Sequence, residues 1–66
     1  MTEREQLIYE HGKAVGKMES YSFMRNNARA VNDHVKWAEC NAAAHFWQAR
    51  AKRYEKQIQE MDNEQD

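Results

Sequence analysis

Trp37, Cys40, Ala44, Trp47, Ala51, Tyr54, Ile58 and Met61 recur at a strict three–four spacing, and every one is apolar or aromatic. That period is the signature of one face of an α-helix, sustained here over three and a half heptads. Both tryptophans of the chain and one of its tyrosines lie on the stripe, so it is the largest block of apolar surface available. A surface of that kind has to be covered by something.

Chain length narrows what can cover it. Sixty-six residues make one domain at most. A chain this short buries too little surface to be comfortably stable, and a disulfide, a metal or a second subunit usually makes up the difference. Cys40 is the only cysteine, so no disulfide forms within the chain. One free cysteine fits a reducing compartment. The first residues lack the apolar core of a signal peptide, and no apolar run approaches the ~18 residues of a membrane span. The expected location is therefore the cytoplasm, with no membrane partner.

The chain has two glycines and no proline, and helix formers dominate it. Val and Ile never alternate with polar residues, which leaves no strand candidate. The expectation is an all-α chain. Thr2 with Glu5 three residues later has the form of a capping box, with Glu3 and Glu5 suited to the positive end of the helix dipole. Leu7, Ile8, Ala14, Val15, Met18, Tyr21, Phe23 and Met24 then describe one broad amphipathic face. Gly12 and Gly16 lie four apart on one side of this helix. They mark either a close helix–helix crossing or two surface glycines.

A second stripe, Ala28, Val31, Val35, Ala38, Ala42, His45 with Phe46, and Ala49, also follows the three–four spacing. It crosses Asn32-Asp33 without losing phase. The polar break at Arg25-Asn26-Asn27 is therefore read as the turn, giving helices over about 3–24 and 28–62 within a single domain 1–62 and a frayed acidic tail over 63–66. A turn at 32–33 is the alternative and would give two helices of nearly equal length. With the turn at 25–27, the first helix folds back over the alanine-rich stripe. The stripe from Trp37 to Met61 is left over, and a second copy of the chain covers it as a homodimeric four-helix bundle. The longer helix then overhangs its neighbour near Tyr54, Ile58 and Met61, and Glu3 and Glu5 come opposite residues 47–50.

Candidate chemistry is sparse. His11, His34 and His45 are not paired at metal-ligand spacing with one another, with Cys40 or with a carboxylate, so no metal or cofactor is expected. His11 and His45 are placed on inward stripes, where they face each other across the hairpin. Cys40 sits within the aromatic stripe and reads as a small buried residue rather than a nucleophile. No catalytic constellation is present, and a non-enzyme is expected. Net charge is −1, which excludes a strongly basic nucleic-acid binder. Arg50, Lys52, Arg53 and Lys56 nevertheless cluster between aromatics, and nucleic-acid contact through them is the competing reading. The leading reading is a protein-interaction module that binds a larger protein and itself.

In general character the chain resembles small helical accessory proteins from the early regions of temperate tailed phages. The resemblance rests on Thr2-Glu3-Arg4-Glu5, the stretch Asn41-Ala42-Ala43-Ala44 and the charged tail from Gln57. It implies a host-directed binding protein in the bacterial cytoplasm, and it carries no functional residue with it.

Overall fold

The computed structural model describes residues 1–64 as two helices, α1 (Glu3–Ala30) and α2 (His34–Glu64). They pack against each other as an antiparallel hairpin of 51 × 18 × 12 Å, which is one helix thick. The capping box is present. Thr2 Oγ1 accepts from the Glu5 backbone N–H at 3.1 Å, and the Thr2 N–H donates to Glu5 Oε1 at 3.2 Å.

The turn occupies residues 31–33, so the expected break at 25–27 is corrected, together with the helix bounds 3–24 and 28–62. The reason is local hydrogen bonding. Asn32 adopts a left-handed φ of 59°. Its N–H donates to Arg29 O at 3.2 Å and the Asp33 N–H donates to Ala28 O at 2.9 Å. This is a Schellman ending with asparagine in the left-handed position. Asp33 then starts α2 at once, its Oδ1 accepting from the Lys36 N–H at 3.0 Å. Asn26 and Asn27 stay helical, at a propensity cost of only a few tenths of a kcal/mol each. At the other end, α2 continues through Glu64, so the tail expected from 63 is helical for two more residues. Gln65 and Asp66 lie outside the described residues.

Three contacts set the register. Arg4 Nε donates to Asp62 Oδ1 at 2.8 Å and its Nη2 to Oδ2 at 3.3 Å. Arg25 Nη1 donates to Asn41 Oδ1 at 3.0 Å. Both pairs are symmetric about position 33. Lys17 Nζ lies 4.8 Å from a Trp47 ring centroid, and that pair centres one residue earlier. The helices are thus nearly equal partners, and the overhang expected beyond α1 does not exist. Glu3 and Glu5 sit beside the end of α2 rather than opposite residues 47–50.

The core is a line of small residues. Ala14 and Ala28 from α1 and Cys40, Ala44 and Ala51 from α2 are buried. Leu7, Val15, Met18, Tyr21 and Met24 flank the line on α1; Trp47, Tyr54, Ile58 and Met61 flank it on α2; all are half-buried. The stripe Trp37–Met61 is therefore the face that α2 turns to α1. This reverses the expected packing, in which α1 covered the alanine-rich stripe. The physical reason is size. A two-helix contact hides only a narrow strip, and the free energy gained is roughly proportional to apolar area removed from water. Seating the large residues beside the seam removes more of it than seating alanines would.

Candidate interaction surface

With its aromatic stripe against α1, α2 leaves its other apolar stripe outside. Val31 is 74% exposed, Val35 71% and Phe46 54%. Ala38, Ala42, His45 and Ala49 are exposed with them. Helical spacing of three and four puts Val35, Ala38, Ala42, Phe46 and Ala49 on one outward strip. Single exposed apolar residues are ordinary, whereas a contiguous strip of them marks a contact surface. The alanines make it flat, and Phe46 is its one large projection.

Phe46 is held in place from behind. Its ring meets Trp47 edge-on, with centroids 5.2 Å apart and planes at 86°. The Arg50 guanidinium lies 5.5 Å from the Phe46 centroid and 5.7 Å from that of Trp47. Lys17 covers Trp47 from α1. Two cations and two rings thus form a stack running from the seam to the outer strip, each ring face attracting a positive charge.

The residues expected at a dimer interface lie instead along the seam with α1. Cys40, Ala44 and Ala51 are buried in the seam; Trp47, Tyr54, Ile58 and Met61 border it; Trp37, at 37% exposed, sits near the turn beside Arg29, Asn32, Asp33 and His34. Arg50, Lys52, Arg53 and Lys56 are all exposed, and no carboxylate pairs with them among the described residues. The only ion pair there is Arg4–Asp62. Glu3 and Glu5, expected opposite residues 47–50, lie beside the end of α2 instead and form no ion pair with this cluster.

His11 is half-buried on α1 and His45 is exposed on the outer strip, so the two do not face each other. No group of three His, Cys, Asp or Glu among the described residues is arranged to hold a metal ion. No described helix is long and apolar enough to cross a membrane. The concavities at the turn (Arg29, Asn32, Asp33, His34, Trp37) and at the far end (Glu3, Leu7, Gln57, Glu60, Met61, Glu64) are open to solvent rather than enclosed.

Among the described residues three groups are electrostatically perturbed, all at the end remote from the turn. Hydrogen bonds from Thr2, side chain first and backbone second, hold the Glu5 carboxyl below its ordinary value. The Arg4 hydrogen bond does the same for Asp62, and Asp62 raises Arg4 in return. These are structural contacts at the helix termini, and none lies on the outer strip.

The outer strip was visible in the sequence as the second three–four stripe, but its direction was not. Equal helix lengths were the available signal, because a turn at 32–33 brings α1 across the whole of the Trp37–Met61 stripe. No protein-family model, curated protein or solved structure matches this chain.

Proposed function

We propose that this chain is a non-enzymatic helical protein-interaction module that works through the outward strip of α2. The observation that carries the reading is the unpartnered apolar surface of Val35, Ala38, Ala42, Phe46 and Ala49 on the side of α2 that faces away from α1. Support also comes from the thin core. Among the described residues no large side chain is fully buried, and a hairpin whose core is a line of small residues gains stability from any partner that binds the folded state. Self-association into a four-helix assembly belongs to the same reading. So does action on a host protein in the bacterial cytoplasm, the extension suggested by the phage-like character of the sequence.

The test is affinity capture from native extract with wild type and Phe46→Glu, each with and without nuclease. The module reading expects a protein partner retained by wild type through nuclease treatment and lost from F46E. Equal capture by both variants counts against it.

One observation favours a second reading, nucleic-acid contact. Arg50, Lys52, Arg53 and Lys56 form an exposed basic patch free of intramolecular ion pairs among the described residues. That reading expects a mobility shift that R50E/R53E abolishes and that weakens steeply with salt.

A further inference from the structure

We infer that the occupant of the outer α2 strip is a second copy of this chain, seated antiparallel so that one copy's Glu39 lies beside the other's Arg50 and each Phe46 packs over the other's Ala42. The inference rests on the interaction-module reading and supplies its partner.

Area argues for an occupant of roughly this size. The hairpin exposes 5160 Å², whereas a compact folded monomer of 7.9 kDa presents about 4400 Å². The surplus is close to the ~800 Å² that each partner contributes to a standard interface.

Charge argues for self-pairing and for its direction. Glu39 and Arg50 are eleven residues apart, three helical turns, so they flank the same edge of the strip. A two-fold interface is self-complementary, in that residue i meets j and j meets i. An antiparallel partner centred near Ala44 brings Glu39 to Arg50 twice. A parallel two-fold partner puts the edges that carry Glu39 and Arg50 on opposite sides of the contact, so that neither Glu39 meets an Arg50. Shape agrees with the antiparallel choice. Ala42 and Phe46 share the outer strip one turn apart, so the same register sets each projecting ring over a flat alanine site.

The experiment is sedimentation equilibrium of the full chain over a wide micromolar range, with helicity followed by circular dichroism. Wild type is expected to be dimeric. Glu39→Arg and Arg50→Glu are each expected to weaken the dimer about tenfold or more, the range of a disrupted close charge pair. The double variant, which restores opposite charges in the same register, is expected to recover most of that loss. F46E is expected to be a helical monomer. Three results overturn the inference: a folded wild-type monomer at several hundred micromolar, a double variant weaker than both singles, or a dimer indifferent to F46E. A monomer that still captures another protein through Phe46 refutes self-pairing and leaves the module reading intact. A dimer that behaves as expected but captures nothing supports self-pairing alone.

Discussion

Replacing Gly12 and Gly16 by alanine tests the packing geometry most directly. Both glycines lie inside α1 with negative φ, and a Cβ added at either meets nothing within 4 Å. Their only role in the hairpin is then to weaken the helix, through the conformational entropy that glycine loses on folding. Each exchange is expected to stabilise by about 0.8–1 kcal/mol. The two sites share no side-chain neighbour, so the double variant is expected to gain about 2 kcal/mol. In a domain of this size, 1 kcal/mol moves the melting temperature by about 4–8 °C, which predicts a rise of roughly 8–16 °C. Thermal melts followed at 222 nm provide the readout, with sedimentation run in parallel. The dimer constant should not change, because the glycines sit on α1 and the inferred interface is on α2. A melting temperature that falls, or a dimer that dissociates, refutes the reasoning. Either would mean that a backbone approaches these glycines closely, the crossing that their four-residue spacing suggests.

Further substitutions separate the two faces of α2 and check the caps. Ala44→Leu should destabilise by about 1–3 kcal/mol through overpacking of the buried seam, whereas Ala42→Leu on the outer strip should leave monomer stability near wild type; urea titrations at concentrations that keep the chain monomeric distinguish them. Asn32→Gly should be neutral or stabilising, and Asn32→Val should cost about 1–2 kcal/mol because a β-branched residue resists the left-handed conformation; chemical denaturation measures both. Thr2→Ala should cost about 1 kcal/mol by removing the N-cap hydroxyl, visible as a lower melting temperature. Glu5 and Asp62 have folded-state pKa values below their ordinary ones. Their contribution is fully present above the unfolded carboxylate range near 4 and is lost as pH falls through the lower folded values. Acid melts of wild type and Asp62→Asn should therefore converge at low pH and differ near neutrality.

Sequence patterning alone established that this chain is all-α, that α1 begins with the Thr2–Glu5 box and that α2 carries two apolar stripes. Helix period, capping chemistry and propensity are local properties, and local residues suffice to state them. Tertiary structure decided where the chain reverses and which stripe faces inward. Asn26-Asn27 and Asn32-Asp33 are similar as turn signals. What distinguishes them is a closed hydrogen-bond set, with Asn32 ending α1 and Asp33 starting α2. Moving the turn by about six residues lengthens α1 until it spans the whole aromatic stripe, and the larger apolar surface then wins the seam because burial is proportional to area. The alanine strip, with Phe46 upon it, is left outside. Stripe direction is a competition between two faces for one partner, and its outcome depends on the register of α1, which no window of local sequence contains.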